Sequence, residues 1–226
     1  MRRTVIPELL DSDAGTASEI SASLHDLRAI NRRFGGVRTS RLLLAMAMRR
    51  AGLREATLLS VAAGDGWSIA TAAEQLARRG LKVTVTVLDR SAAHLQGSPV
   101  PERIVADAFP LPLADRSFDF VECSLFAHHL EPEEVQALTR EALRVARWAF
   151  LVNDLRRSRL GWVFAHLGFV FYRSRLTRHD APASVRRAYA IPEMRRMLSA
   201  GNAREVAVWP AWFFRMGAIA WRHTRS

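Results

Sequence analysis

Short apolar runs alternate along the chain with longer segments in which apolar residues recur every three or four positions. The runs are typical of strands buried in a sheet, and the longer segments are typical of amphipathic helices. Strands are predicted near 57–62, 83–88, 103–105, 118–123, 148–152, 204–209 and 212–220. Helices are predicted near 19–34, 38–51, 67–79, 132–145 and 184–199. This alternation predicts an α/β fold with a doubly wound, mostly parallel sheet.

Two of the predicted strands end in residues suited to binding a nucleoside. The run 58–61 leads into the small-residue turn 62–66, Ala-Ala-Gly-Asp-Gly, and a second apolar run ends on Asp89. Glycines let a backbone approach a ligand closely, and an acid after the second strand binds ribose hydroxyls. The turn lacks the three glycines of a dinucleotide fingerprint and the Gly-Lys-Ser/Thr of a phosphate loop. We therefore expect neither a dinucleotide nor a phosphate site here.

The turn resembles motif I of the class I S-adenosylmethionine-dependent methyltransferases, which usually reads acid-hydrophobic-Gly-x-Gly-x-Gly. Gly64 and Gly66 match that pattern, whereas Ser60 replaces the acid and Ala62 the first glycine. The stretches 105–112 and 117–121 look like the family's third-strand loop and fourth strand. The resemblance covers nearly the whole chain, most strongly 57–153. It implies a Rossmann-like sheet of seven strands whose antiparallel last strand closes a hairpin.

The resemblance also implies S-adenosyl-L-methionine as the cofactor. Asp89 would bind its ribose and Asp107 the adenine amino group, with the Ala108 amide donating to the ring. The segment 27–38 resembles small bacterial methyltransferases found beside polyketide synthases, in which Asn31 or Arg38 would meet the cofactor carboxylate; the alternative is a glycine-capped helix with surface arginines. The candidate cofactor-binding residues are Ala62, Gly64, Asp65, Gly66, Asp89, Arg90, Asp107, Ala108, Ser124 and Arg38.

We interpret the 226 residues as a single domain. A helical N-terminal cap would occupy 1–55 and the cofactor-binding core 57–153. An acceptor cap with helices would follow over 154–200, and the closing hairpin over 203–221.

The catalytic candidates follow the fourth and fifth predicted strands. Methylating a hydroxyl requires a group that draws off its proton, and a histidine has a suitable pKa near neutrality. His128 and His129 are therefore candidates for the base, the alternative being that they only pack against and cap the next helix. Asp154 is a candidate for holding an acceptor hydroxyl, the alternative being a structural role in bonding loop amides.

We expect no metal site. Metal-dependent catechol methyltransferases carry an Asp-Asn pair after the fifth strand, and this chain has the reverse order, Asn153-Asp154. Ser124 stands near the position of another carboxylate of that site. A hard cation needs several oxygen ligands.

The segment 160–172 is rich in aromatic and aliphatic residues and would line the acceptor pocket. It would favour a flat or alkylated acceptor. Two alternatives remain, a plain core helix and a weak membrane-surface contact, since arginines flank the segment on both sides.

The net charge of +11 would attract nucleic acid, anionic lipid or acidic substrates, although the arginines are dispersed. The chain lacks the Asn/Asp-Pro-Pro-Tyr/Phe motif of amino-methylating nucleic-acid enzymes, and its one cysteine, Cys123, lies inside a predicted strand. We therefore expect no nucleic-acid partner. No signal peptide and no apolar run of about 18–20 residues is present, so we expect a cytoplasmic protein.

These features predict an enzyme that transfers a methyl group from S-adenosylmethionine to oxygen or carbon of a small aromatic acceptor. A phenolic polyketide or quinone-like compound of secondary metabolism would fit. One alternative is a non-catalytic nucleoside-binding or partner protein with a degenerate motif I. Another is a peripheral membrane methyltransferase of lipid quinones. The sequence does not indicate an oligomeric state.

Overall fold

The computed structural model describes residues 1–10 and 14–223, in which seven strands form one sheet. The strands are β1 (Glu55–Val61), β2 (Lys82–Asp89), β3 (Glu102–Val105), β4 (Phe118–Ser124), β5 (Ala146–Leu155), β6 (Glu205–Ala211) and β7 (Arg215–Trp221). Their order is β3-β2-β1-β4-β5-β7-β6. The first five strands are parallel, and β7 is antiparallel to both β5 and β6. The mostly parallel sheet with an antiparallel last strand is thus confirmed.

The helices cover both faces of this sheet. They are α1 (Ala17–Arg33), α2 (Gly36–Ala51), α3 (Trp67–Ala77), α4 (Ala92–Gln96), α5 (Pro132–Val145), α6 (Arg159–Leu167), α7 (Arg175–Arg187) and α8 (Ile191–Ala200). Successive strand residues point to opposite faces. Leu58 accordingly packs into the apolar core with α2 and α3, and Leu59 packs into the core with α5 and α8. The doubly wound fold and its helical N-terminal cap are confirmed.

The helix predicted over 184–199 is instead divided between α7 and α8. Ala188 leaves the helical conformation with ψ 155°, and α8 begins at Ile191 with Pro192 in its first turn. Proline has no N–H to donate, and its ring would clash with the carbonyl four residues earlier, so a helix cannot continue through it without distortion. The short helix α4 and residues 175–183 of α7 were not predicted as helical.

The segment 160–172 forms most of α6 and a following 3-10 turn, Gly168–Phe171. Of this segment only Gly161 has a fully buried position, and many of its apolar side chains are exposed. A plain core helix is therefore the wrong interpretation of this segment. Within the described residues, no helix is long and apolar enough to cross a lipid bilayer.

Candidate active site

A cavity of about 1020 Å³ opens where the parallel strands β1, β2 and β4 end. Open α/β sheets bind ligands at this edge, because the loops that follow their strands converge there. One end of the cavity is formed by the turn after β1 and the acids that follow it. The rest of the wall is formed by the first residues of the chain, by side chains of α6 and α7, and by α1, which reaches the turn after β1 through Arg28. A pocket of this volume is at the upper end of the usual range for small-molecule sites.

The turn after β1 requires glycine at two positions. Gly64 and Gly66 have φ of +58° and +68°, a region that side chains other than glycine rarely adopt. A Cβ added to Gly66 would lie 2.7 Å from Cγ1 of Val87, whereas one added to Gly64 would meet no atom within 4 Å. Gly66 thus allows close packing on β2, and Gly64 leaves open space in the cavity wall. Ala62 also has a positive φ, of 51°.

Asp89, at the end of β2, lies in the cavity wall with both carboxylate oxygens engaged. One oxygen accepts from the Gly64 amide at 2.8 Å and the other from the Ser91 amide at 2.9 Å. Burial opposes its ionisation, but His94 and these amides lower the pKa of Asp89. An ionised carboxylate oxygen accepts two hydrogen bonds; Oδ1 also faces Nδ1 of His94 at 3.5 Å, whereas Oδ2 keeps acceptor capacity for a ligand hydroxyl.

Asp65 is paired with an arginine that the sequence analysis did not single out. Arg28, from α1, donates through Nε to Oδ2 of Asp65 at 2.5 Å, while the Trp67 amide donates to Oδ1 at 2.9 Å. Both Arg28 and Asp65 lie in the cavity wall. The side chain of Arg28 therefore ties the N-terminal cap to the turn after β1.

The remaining candidates at this end divide into two groups. Arg90, Asp107, Ala108 and Ser124 line the cavity as expected. Oδ1 of Asp107 accepts from the Phe109 amide at 2.9 Å. Arg38 is not part of the cavity wall formed by the described residues.

Arg38 lies 4.9 Å over the ring of Trp212, on the outside of the N-terminal cap. Asn31, the other candidate for the cofactor carboxylate, does line the cavity, and its Oδ1 accepts from Nη2 of Arg215 at 2.7 Å. The structure thus does not bring Arg38 to the position expected of it.

The acid missing from motif I has a counterpart on the neighbouring strand. Ser60 donates through Oγ to Oε1 of Glu122 at 2.5 Å, and both residues line the cavity. Burial raises the pKa of Glu122 to about 7, although the Ser60 hydroxyl opposes that shift. A carboxyl group is thus available on β4 rather than on β1.

Asp154 is not in the cavity wall, which corrects its expected role in holding an acceptor hydroxyl. It is buried behind His128: its Oδ1 lies 2.6 Å from Nδ1 of that ring, and its Oδ2 accepts from the His128 amide at 3.0 Å. Oδ1 also accepts from the Leu155 amide at 2.6 Å. Asp154 is therefore placed to orient His128.

Glu8, which the sequence analysis missed, faces the two histidines. Its Oε1 lies 3.6 Å from Nε2 of His128, and its Oε2 lies 3.8 Å from Nε2 of His129. Burial opposes a charge on the ring, yet the carboxylates of Asp154 and Glu8 raise the pKa of His128 to about 10. That protonation state opposes the role of a general base for His128.

The first ten residues are held in place by α7. The amides of Leu9 and Leu10 donate to the two carboxylate oxygens of Asp180, at 2.9 and 3.0 Å, and the Thr4 amide donates to the Arg186 carbonyl. This N-terminal segment carries no recognisable motif, so only the folded arrangement places Glu8 beside the histidines.

Aromatic side chains form much of the cavity beyond the histidines. They are Phe126, Phe164, Phe171, Tyr172, Phe213 and Phe214. Phe164 packs on Phe214 with ring centroids 5.5 Å apart. Part of the segment 160–172 therefore lines the cavity, as the sequence analysis expected, whereas Trp162 packs on His166 in a separate small pocket.

Residues 59–148 match the model of a family described as a methyltransferase domain. The chain therefore carries a methyltransferase domain over these residues. It is an enzyme, and S-adenosylmethionine is its cofactor and methyl donor. Enzymatic activity was the expectation from motif order, and the alternative of a non-catalytic nucleoside-binding protein is not supported. No curated protein sequence matches the chain.

Solved structures share the fold of this methyltransferase at low sequence identity. The plantazolicin methyltransferase BpumL, in complex with a pentazolic desmethylPZN analog and SAH, is 11% identical with a TM-score of 0.64, over 88% of this chain and 90% of that one. Magnesium protoporphyrin IX methyltransferase from Synechocystis PCC 6803 is 16% identical with a TM-score of 0.54, over 84% of each chain. A putative methyltransferase from an antibiotic biosynthesis pathway of Anabaena variabilis is 20% identical with a TM-score of 0.53, over 76% and 67%.

The cofactor end of the methyltransferase cavity fits S-adenosylmethionine. The open space at Gly64 admits a ligand close to the backbone, and Asp89 retains acceptor capacity for ribose hydroxyls. Oγ of Ser124 is shielded from solvent, lies at the end of β4 and has no hydrogen-bond partner within the described ranges. Buried polar atoms normally have a partner, so this hydroxyl suits a bound ligand.

Proposed function

We propose that this methyltransferase transfers the methyl group to oxygen or carbon of a small aromatic acceptor, phenolic or quinone-like. The observation that carries the proposal is the second end of the cavity. There, aromatic side chains and a polar cluster of Glu8, His128 and His129 line the same cavity as the cofactor-end residues, and Phe126 stacks on His129 with ring centroids 6.4 Å apart. A flat ring with one polar substituent would fit such a lining.

When bound, the cofactor supplies an activated methyl group. The residues at this end of the cavity then have three tasks: to orient the acceptor, to exclude water and to accept a proton. The aromatic walls hold the acceptor in line with that group and exclude water. An acceptor hydroxyl with a pKa near 10 must also lose its proton. Glu8 and His129 both line the cavity and are placed to accept that proton, whereas His128 is held between two carboxylates.

Two relatives by fold are consistent with an acceptor from secondary metabolism. One comes from an antibiotic biosynthesis pathway, and another binds analogues of desmethylPZN. At 20% and 11% identity, these relatives support secondary metabolism as the kind of process and do not point to a particular acceptor.

The test combines cofactor binding with a search for the acceptor. Calorimetric titration with S-adenosylmethionine and its demethylated product should give binding that Asp89→Ala weakens about 100-fold, because hydrogen bonds to a charged group are lost. Asp115→Ala, which removes an exposed carboxylate from a loop outside the cavity, is the control and should bind like the natural chain.

A mass-spectrometric screen of phenols and quinones with cofactor then tests the acceptor. A mass gain of one methyl group on a phenol or quinone supports the proposal. If the protein binds cofactor but methylates none of these compounds, the proposed acceptor class is wrong.

A second candidate, a peripheral membrane enzyme that methylates lipid quinones, is favoured by the exposed side of α6. Apolar side chains of α6 and the following 3-10 turn are exposed beside the cavity. They are Leu160, Val163, Phe164, Leu167, Phe169, Val170 and Phe171. Because arginines flank the segment, contact with an anionic lipid surface would bring this opening to a lipid-dissolved acceptor.

A further inference from the structure

Three potential metal ligands converge at the acceptor end of the cavity. Glu8, His128 and His129 each offer one ligand atom, and these atoms all lie within 4.8 Å of one another. Glu8 comes from the N-terminal segment, and both histidines come from the 3-10 turn that follows β4. All three side chains line the cavity, so a bound ion would be in reach of a substrate.

The separations are close to those in a coordination sphere. Ligands bound to zinc at about 2.1 Å are about 3.0 to 3.4 Å apart in octahedral or tetrahedral geometry. Oε1 of Glu8 lies 3.6 Å from Nε2 of His128 and Oε2 lies 3.8 Å from Nε2 of His129, and one ligand atom from each residue lies within 4.8 Å of the others. Small side-chain rotations would therefore bring the carboxylate and both rings onto one ion.

Two of these groups have buried polar atoms with no hydrogen-bond partner. Oε1 of Glu8 and Nε2 of His128 are shielded from solvent and lack such a partner among residues 1–10 and 14–223. Glu8 is 7% exposed and His128 is 2% exposed. Leaving buried polar atoms unsatisfied is costly, and both atoms point into the same small space. The two atoms lie 3.6 Å apart, and a bound ion would satisfy both by taking the place of the proton on Nε2 of His128.

The outer contacts of His128 also match a metal site. Histidines that bind metals usually donate their other ring N–H to a carboxylate, which fixes the ring and its tautomer. Oδ1 of Asp154 lies 2.6 Å from Nδ1 of His128, so Nε2 is directed towards Glu8. Asp154 would be a positioning residue in such a site.

We propose that Glu8, His128 and His129 bind one divalent transition-metal ion at the acceptor end of the cavity. Two imidazoles and one carboxylate suit zinc, iron or manganese better than magnesium or calcium, which prefer oxygen ligands. Three protein ligands leave a position open to the cavity for water or an acceptor oxygen. This goes beyond the proposed function and does not depend on an aromatic acceptor: with an ion bound, Glu8 and His129 would serve as its ligands instead of accepting the acceptor's proton.

The expectation of no metal site rested on a different set of residues. Those residues are Ser124, Asn153 and Asp154, which stand at the positions of a catechol-type metal site. Asn153 instead donates to the Gly36 carbonyl at 2.9 Å and to Ser40 Oγ at 2.8 Å, away from the cavity wall. The proposed ligands include Glu8, which no motif connects with the histidines.

The test is direct metal binding by the full chain, without a polyhistidine tag, after removal of metals by a chelator. Titration with Zn²⁺ should give one ion bound per chain, and Co²⁺ should give the visible absorption bands of a protein-bound ion. Glu8→Gln and His129→Gln should each weaken Zn²⁺ binding at least about 100-fold. Asp154→Asn should weaken it about 10- to 100-fold and shift the Co²⁺ spectrum.

The matched control is His25→Gln, which removes an exposed histidine of α1 and should leave Zn²⁺ affinity unchanged. The proposal is overturned if the natural chain binds neither ion, or if Glu8→Gln and His129→Gln bind Zn²⁺ as the natural chain does. Circular dichroism verifies that each variant folds. If Glu8→Gln does not fold, the Zn²⁺ affinity of His129→Gln decides whether the proposal holds. The metal titrations contain neither S-adenosylmethionine nor an acceptor. Their result therefore does not depend on the outcome of the methylation screen.

Discussion

At the residue scale, the hydrogen bond between Ser60 and Glu122 places a titrating carboxyl group in the cofactor end of the cavity. Burial raises the pKa of Glu122 from 4.5 to about 7. The folded protein therefore holds a proton that the unfolded chain releases between these two values. Because the folded state binds more protons in that range, the free energy of unfolding decreases as the pH rises from 4.5 to 7.

Replacing this carboxyl group by an amide should remove its pH dependence. Glu122→Gln keeps an oxygen that accepts from Ser60 but cannot ionise. The free energy of unfolding of Glu122→Gln minus that of the natural chain should increase by about 2 to 3 kcal/mol from pH about 5 to pH about 8. One pKa unit corresponds to about 1.4 kcal/mol. Urea unfolding at both pH values measures this difference.

Glu102→Gln, at an exposed position of β3, is the control for this experiment. The difference in free energy of unfolding between Glu102→Gln and the natural chain should be the same at both pH values. If Glu122→Gln also shows no change with pH, the carboxyl group of Glu122 does not ionise in this range.

Single residues of the site differ in how far the sequence reveals them. Asp89, Asp107 and the glycine turn follow strand ends at short, regular spacing, so a local pattern predicts them, and they line the cavity. Glu122 is one polar residue inside an apolar strand, and its contact with Ser60 depends on the pairing of β1 with β4. Glu8 could not be predicted, because its approach to the histidines depends on packing between distant parts of the chain.

At the element scale, helix α7 determines where the N-terminal segment lies. Asp180 accepts from the amides of Leu9 and Leu10, and the neighbouring residue Glu8 then faces the histidines. His179 also contacts Asp180, with 2.8 Å between Nδ1 and Oδ1. Two backbone hydrogen bonds to a single carboxylate thus connect the N-terminal segment to a helix.

Removing this carboxylate should release the N-terminal segment. Asp180→Ala should lower the free energy of unfolding by about 2 kcal/mol, because hydrogen bonds to a charged acceptor are lost. Hydrogen exchange at the Leu9 and Leu10 amides should be at least about 10-fold faster, while cofactor affinity should remain similar. Amide exchange followed by NMR measures the two sites separately.

His179→Ala is the matched control, since it removes the neighbouring ring and keeps the carboxylate. Both amides should remain protected in that variant. Continued protection of Leu9 and Leu10 in Asp180→Ala would contradict the assigned role of Asp180.

The elements themselves were predicted well where periodicity is local. The seven-stranded sheet and its antiparallel closing hairpin follow from the resemblance, and the structure agrees. The division between α7 and α8 was missed because apolar positions continue across it, although Pro192 marks the new helix. The position of α6 over the cavity depends on its packing against α7, which no local pattern encodes.

At the scale of the whole molecule, one surface combines exposed apolar side chains with positive charge. Leu167 is 64% exposed and Val170 is 61% exposed, and neither lines the cavity, in contrast to Phe164 and Phe171. Arg159 and Arg173, which flank this segment, are exposed, and the chain as a whole carries a net charge of +11. Such a surface suits an anionic lipid bilayer, because apolar insertion and charge attraction both contribute to binding.

Co-sedimentation with vesicles tests this contact. The natural chain should bind vesicles containing phosphatidylserine more strongly than vesicles of phosphatidylcholine alone, and added salt should weaken that binding by screening charge. The double variant Leu167→Ser, Val170→Ser should bind at least about 10-fold more weakly, because inserting one such side chain contributes about 1.5 to 3 kcal/mol. Methyl transfer to a water-soluble acceptor should be unchanged, since these two side chains do not line the cavity.

The double variant Leu42→Ser, Met46→Ser is the matched control for vesicle binding. These residues are 43% and 48% exposed on α2, so the substitutions remove comparable apolar groups from another surface. This control should bind vesicles like the natural chain. Equal losses in both double variants would indicate adsorption without a defined site. A natural chain that sediments with neither vesicle would leave α6 with one role, forming the wall of the acceptor cavity, and would exclude the peripheral membrane enzyme.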